Sequence, residues 1–202
     1  MKRLNKILLT GFILIITVVT SFGQNKKLNT DLVYMIDSLY KADQDCAIIK
    51  PSDSAAAKYQ RVIRTNFPLI QSILNKHGFP GYDLVGKEGS ANYFLLVQHS
   101  DFNVDFQKRA LKLMKKQVDK KNASGSTYAF LVDRIELNSG KQQIYGTQVQ
   151  MGRSGTKLKL CIDTLNLDKR RKAVGLMPIK EYLQQCDETF KEMNPTEMKK
   201  KE

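Results

Sequence analysis

The chain has 202 residues, with 33 Lys and Arg against 20 Asp and Glu, and its formal net charge is +13 at pH 7. The lysines are spread over helix faces and a tail without aromatic residues between them, which argues against a nucleic-acid partner. Three cysteines, Cys46, Cys161 and Cys186, are too few to hold a disulfide-rich scaffold of this length together, although one bridge remains an alternative.

Residues 1–23 have the pattern of a secretory signal peptide. A basic start, MKRLNK, precedes an uncharged apolar run, and small residues at Ser21 and Gly23 suit a signal peptidase. The alternative is an uncleaved anchor, but the 16-residue run would span only about 24 Å as a helix, less than the ~30 Å apolar core of a bilayer. We therefore expect a periplasmic or extracellular mature chain of net charge +10, with no stable membrane span.

The mature chain is predicted to be one α+β domain that is predominantly α-helical, with a small β-hairpin late in the sequence. This domain covers residues 24–193, and a disordered basic tail follows over residues 194–202. The sequence contains no internal repeat and no composition change that would indicate a second domain.

Two helices are predicted in the first part of the domain. Apolar residues recur at helical spacing over residues 29–46, and Asn29 or Thr30 would cap this helix. A second helix is expected to start at Pro51. Pro68 should break or kink it, because the residue before a proline avoids the α-helical region.

The middle of the chain is predicted to alternate between helices and one ordered loop. A further helix over residues 68–78 should end at Gly78, and the glycine-rich residues 79–90 should form a loop. A short buried helix over 91–100 and two amphipathic helices over 103–121 and 127–140 are expected next.

The pattern of polar and apolar residues changes in the last third of the sequence. Residues 141–150 and 156–162 alternate polar and apolar side chains, so they predict two strands joined by a hairpin turn at 151–155. Residues 163–178 are expected to be an irregular connection, and residues 179–193 a final amphipathic helix.

Polar residues occur in five clusters beside apolar residues or glycines. The clusters are ADQD (42–45), HGFPG (77–81), QHSD (98–101), LVDR (131–134) and QIYGTQ (143–148). A buried polar group needs a partner. These clusters therefore either satisfy one another in a core network or line a polar pocket.

The order of these motifs resembles an uncharacterised family of bacterial domains of unknown function. The ordered set is HG(F/W)PG, LVG, QH(S/A)D, LxDR, QxYGTQ and RRKAVGLMP, and the likeness spans about residues 30–185. No motif is specific alone, and Phe79 stands where many relatives have tryptophan. The resemblance implies a single helical domain with a hairpin, and it implies no activity.

General acid–base catalysis is the least demanding enzymatic chemistry that these residues allow. The candidate catalytic groups are His99 and His77 with the carboxylates of Asp101 and Asp133. Asp43 is a further candidate carboxylate for the same chemistry. Asp101 would either cap the next helix or orient His99. A histidine in a last helical turn also favours the helix dipole, so His77 has a structural alternative.

Further side chains are candidates for ligand binding because they carry hydrogen-bonding groups beside apolar or glycine residues. They are Gln98, Arg134, Tyr145, Gln148, Asp43 and Gln44. The alternative for the LVDR cluster is a structural ion pair. The alternative for QIYGTQ is a bulged hairpin whose glutamines bind loop backbone.

No metal site and no cofactor are predicted. Two histidines with Asp101 or Asp133 would match a two-histidine, one-carboxylate set, but their spacing does not force them together. The expected function is binding or processing of a polar small molecule or peptide outside the cytoplasm. The alternatives are a non-catalytic binding module and an interaction protein whose polar clusters form a structural network.

Overall fold

The computed structural model describes residues 27–47 and 53–195. The predicted signal peptide, the helix start at Pro51 and most of the predicted tail lie outside the described residues.

Within the described residues the chain is predominantly helical with one small antiparallel hairpin late in the sequence, which confirms the predicted class. A 3-10 turn, Thr164–Asn166, precedes α6. The elements in chain order are α1 (Thr30–Ala47), α2 (Asp53–His77), α3 (Tyr82–Gln98), α4 (Val104–Asp119), α5 (Gly125–Asn138), β1 (Val149–Gln150), β2 (Lys157–Leu158), α6 (Leu167–Ala173) and α7 (Ile179–Met193).

Helices α1 to α5 pack around the main apolar core. Helix α1 lies against α2 and α3, and α4 lies against α5. Each large apolar side chain buried here stabilises the fold by about 1.5–3 kcal/mol relative to an exposed one. Deeply buried members of this core include Ile36, Ile70, Leu74, Phe79, Tyr93, Val97, Met114 and Leu131.

Side-chain caps fix where three of these helices begin. The Oδ1 atom of Asn29 accepts from the backbone N–H of Leu32 at 3.0 Å, which confirms Asn29 as the cap of α1. Asn103 caps α4 through Phe106, and Ser124 caps α5. Each such cap contributes about 1 kcal/mol by satisfying a free N–H group.

Of the break or kink predicted at Pro68, the break is wrong, because α2 continues through this residue to His77. A proline inside a helix removes one backbone hydrogen bond. The buried stripe formed by Ile63, Ile70 and Leu74 lies on both sides of Pro68. Tertiary packing of that stripe outweighs the local preference.

The predicted loop over residues 79–90 is also wrong, since α3 begins at Tyr82. One of the glycines in this segment has a local structural role. Gly86 interrupts the helical geometry with φ of 75°, a value that favours glycine, and the helix resumes after it. The buried helix predicted over residues 91–100 is the second half of α3.

The late hairpin is confirmed, but its strands are shorter than expected. Val149 pairs with Leu158 and Gln150 with Lys157, and each strand has only two residues. The irregular connection predicted over residues 163–178 contains α6, which the sequence pattern missed.

No helix among the described residues is long and apolar enough to cross a membrane. Cys46, Cys161 and Cys186 are free thiols, and Cys46 is buried.

Candidate functional site

His99 and Asp43 form the closest pairing of an imidazole with a carboxylate in the described chain. The Nδ1 atom of His99 lies 3.0 and 2.9 Å from the two oxygens of Asp43. The Asp43 side chain is only 3 % exposed, whereas the His99 side chain is 18 % exposed. A carboxylate only accepts hydrogen bonds, so Nδ1 donates, and Nε2 of the neutral ring keeps its lone pair.

Two neighbours complete the surroundings of this pair. The Nε2 amide of Gln44 donates to Asp43 at 2.8 Å. The ring of Tyr59 meets the His99 ring edge-on, with centroids 6.0 Å apart. Burial, followed by the negative charge of Asp43, raises the pKa of Tyr59 to about 12. Tyr59 is therefore a neutral hydrogen-bond donor over the physiological range.

Asp101 and Arg134 form a second pair within the same region. Arg134 donates to both carboxylate oxygens of Asp101, from Nε at 2.8 Å and from Nη2. Burial acts to raise the pKa of Asp101, but hydrogen bonds from Arg134, Gln107 and Asn138 outweigh it and leave the pKa lowered. The charges of both residues also act on the pKa of Tyr59.

Neither of the two arrangements expected for Asp101 is observed. Asn103, not Asp101, caps α4. His99 is oriented by Asp43 instead, from a helix that lies far away in the sequence. We refer to Asp43, Gln44, Tyr59, His99, Asp101 and Arg134 as the His99 site.

Gln107 supports the His99 site from the core side. It is fully buried, and its Nε2 donates to the carbonyls of Val97 and Gln98 and to Asp101. Its Oε1 atom has no partner among the described residues. Gln98 contacts this region through its backbone, because its carbonyl accepts a hydrogen bond from Gln107 at 3.0 Å.

The structure does not bring His77 beside His99. His77 lines a groove together with Asp31 near the start of α1, whereas His99 binds Asp43 near its end. Positions 31 and 43 are roughly 18 Å apart along a helix at ~1.5 Å per residue. A catalytic site shared by both histidines is therefore excluded by the fold.

The HGFPG motif forms a turn rather than a wall of the His99 site. Gly78 has φ of 69° and ends α2. Phe79 is buried edge-on against Tyr93, with ring centroids 5.6 Å apart. A Cβ atom at Gly81 would collide with Asn122, so close packing favours glycine at this position.

Asp133 lies in a separate network that holds the turn before β1. It is fully buried, and its carboxylate accepts from the backbone N–H groups of Ile144, Tyr145 and Thr147 and from the Thr147 hydroxyl, at 2.7–2.9 Å. Arg134 points away to Asp101, so the two neighbours do not pair with each other.

Arg171 binds the other side of the same turn. It is 1 % exposed, and its Nη1 donates to the carbonyls of Tyr145 and Gly146. Its guanidinium also lies 4.9 Å from the centre of the Tyr182 ring, whose hydroxyl donates to the carbonyl of Thr147. A buried anion and a buried cation therefore satisfy the N–H and C=O groups of one turn.

Tyr145 and Gln148 belong to this turn and not to the His99 site. The backbone N–H of Gln148 donates to Gln143, whose side chain also donates to the carbonyls of Gln148 and Lys159. The side-chain amide of Gln148 reaches the Thr147 hydroxyl at 3.3 Å. These glutamine-to-backbone bonds are one part of the alternative stated for QIYGTQ.

Five of the six residues of the His99 site are among the candidates predicted from the sequence, and Tyr59 is not. Tyr59 stands in a run of small and charged residues without any local motif. Tyr59 lies on a different helix from Asp43 and His99, so only the tertiary structure shows that it is near them.

No group of three or more His, Cys, Asp or Glu side chains in residues 27–47 and 53–195 is arranged to hold a metal ion.

Comparison with known proteins adds a family but no activity. Residues 50–192 match a family described as a family of unknown function, DUF6624. The match includes Tyr59, His99, Asp101 and Arg134, and it starts after Asp43 and Gln44. No curated protein and no solved structure matches the chain. The match covers more than half of the sequence, and the chain therefore belongs to the DUF6624 family of unknown function.

Proposed function

We propose that this protein acts outside the cytoplasm as an acid–base enzyme on a polar small molecule or peptide, with His99 as the group that transfers the proton. The observation that carries the proposal is the bond from Nδ1 of the partly exposed His99 to the nearly fully buried carboxylate of Asp43. Such a bond fixes the ring and its tautomer, which a general base requires.

The proposed step uses Nε2 of His99. Its lone pair accepts a proton from the substrate or from water, and Asp43 stabilises the imidazolium ion that results. Tyr59, neutral below its raised pKa of about 12, donates a hydrogen bond to the substrate. Arg134 keeps Asp101 ionised and contributes a cation at the edge of the site.

The test is turnover of a panel of chromogenic esters, amides, phosphoesters and glycosides by purified protein. We expect His99→Gln to lower turnover of an accepted substrate by about 10²-fold or more, the range of one acid–base group. Asp43→Asn should also lower it. Asp45→Asn is the matched control, because Asp45 lies on the same helix, 58 % exposed, and pairs only with Lys41 among the described residues.

Two results would contradict this proposal. One is turnover that His99→Gln leaves unchanged. The other is the absence of turnover on every substrate class, together with ligand binding that does not depend on His99.

A non-catalytic binding module is the second candidate function. It is favoured by the bidentate pairing of Arg134 with Asp101, which presents hydrogen-bonding groups that are already fixed in place. Binding of a polar ligand that is retained in His99→Gln and lost in Arg134→Gln would support this candidate over the enzyme.

A further inference from the structure

A groove of about 260 Å³ lies between the start of α1 and the end of α2, at the opposite end of these helices from the His99 site. Leu32 and Ile73 form buried parts of its walls. Met35 is 42 % exposed and Leu69 is 50 % exposed in the same groove. Large apolar side chains that face one concave surface are typical of a binding site.

The groove also carries charges of both signs. Asp31 lines it from α1, and Lys76 and His77 line it from α2. In the described part of the chain no ion pair joins Asp31 to either of these basic residues. Opposite charges that share a groove without pairing are complementary to a ligand with both an anionic and a cationic group.

We propose that this groove binds a short peptide with free termini and an apolar side chain. The peptide ammonium would pair with Asp31, and its carboxylate would pair with Lys76 and accept a hydrogen bond from His77. Its apolar side chain would cover Met35 and Leu69. The volume suits a ligand of two or three residues, since larger ligands occupy sites of about 300 Å³ or more.

Charge complementarity selects this ligand over an apolar one. A fatty acid has no cationic group that could pair with Asp31. The two ends of a zwitterionic peptide satisfy both signs at once.

The test is calorimetric titration of the purified protein with the dipeptide leucyl-leucine. N-acetyl-leucyl-leucine lacks the ammonium group, and leucyl-leucinamide lacks the carboxylate. We expect leucyl-leucine to bind, and Asp31→Asn and Lys76→Gln each to weaken it by about 1.5-fold to fivefold, the range of one exposed ion pair. The control variants are Lys41→Gln and Asp45→Asn, which form an exposed pair on α1, and they should bind as wild type does.

The paired probes decide the assignment of each charge. The affinity of Asp31→Asn should not fall further when the peptide is acetylated. The affinity of Lys76→Gln should not fall further when the peptide is amidated. The proposal is overturned if leucyl-leucine does not bind, or if binding is insensitive to Asp31→Asn and Lys76→Gln. It is also overturned if the acetylated and amidated probes bind as well as the dipeptide, since an apolar ligand would then suffice.

Discussion

Nδ1 of His99, at the end of α3, donates to the carboxylate of Asp43, 56 positions earlier in the chain, at 2.9 Å. The bond joins the C-terminal ends of two packed helices, and the charge of Asp43 also acts on Tyr59 of α2. Three helices thus converge on one imidazole whose second nitrogen is left without a partner among the described residues.

Substitution of Gly146 is predicted to destabilise the turn before β1. Gly146 has φ of 66°, and an added Cβ atom would lie 3.1 Å from Leu167 and 3.2 Å from Leu158. We expect Gly146→Ala to lower the free energy of unfolding by about 2–4 kcal/mol, from backbone strain and overpacking together. Urea denaturation followed by circular dichroism measures this.

Gly140 supplies the control for that measurement. Its φ is 75°, but an added Cβ atom would meet nothing within 4 Å. Gly140→Ala should therefore cost only the backbone strain, about 1–2 kcal/mol. Equal losses at the two positions would show that close packing at Gly146 contributes nothing.

Asp133→Asn is predicted to be strongly destabilising, because an amide nitrogen cannot accept the hydrogen bonds that one carboxylate oxygen receives. Thr147 donates to this carboxylate from both its N–H and its hydroxyl. We expect a loss of about 2–4 kcal/mol in the free energy of unfolding, typical of buried donors left without an acceptor. Asp45→Asn, at an exposed position, should change it by less than about 0.5 kcal/mol. Similar midpoints for the two variants would refute the buried network.

Asp101 is predicted to make the protein acid-sensitive. Its pKa is lowered in the folded state, so the unfolded chain takes up the proton first as pH falls. The stabilisation is complete above the unfolded value of about 3.9 and is lost as pH drops through the folded pKa. In denaturation curves at a series of acidic pH values, wild type should therefore lose stability more steeply below pH ~4 than Asp101→Asn does.

Asp105→Asn controls for general acid effects, because Asp105 is 97 % exposed and only 4.0 Å from Lys108. Its curve should run parallel to that of wild type. If the Asp101→Asn curve also ran parallel to wild type, the ion pair with Arg134 would not contribute to acid stability.

Helical periodicity was sufficient to predict most of the fold. The apolar stripes of α1, α4, α5 and α7 and the cap at Asn29 are local features. The errors have tertiary causes. Packing on both sides of Pro68 keeps this residue inside α2. The residues before β1 are held by the side chains of Asp133, Gln143 and Arg171 instead of a longer ladder of strand hydrogen bonds.

The composition of the His99 site was largely predictable, but its pairing was not. Asp101 is two residues from His99 and is by sequence a candidate for two roles, a helix cap or the partner that orients His99, yet Arg134 of α5 binds it. Asp43 reaches His99 only because α1 packs against α3. Which carboxylate meets which cation is decided by the order of helices in the bundle, and periodicity does not encode that order.

The tautomer of His99 tests the proposed proton transfer most directly, and it requires no substrate. The chain has only two histidines, so two-dimensional 1H–15N spectra of the imidazoles are simple, and His77 serves as an internal reference. We predict that neutral His99 carries its proton on Nδ1 in wild type and in Asp45→Asn, and that Asp43→Asn removes this preference. A neutral His99 with its proton on Nε2 in wild type would contradict the proposal, because the nitrogen assigned as the base would then have no lone pair to accept a proton.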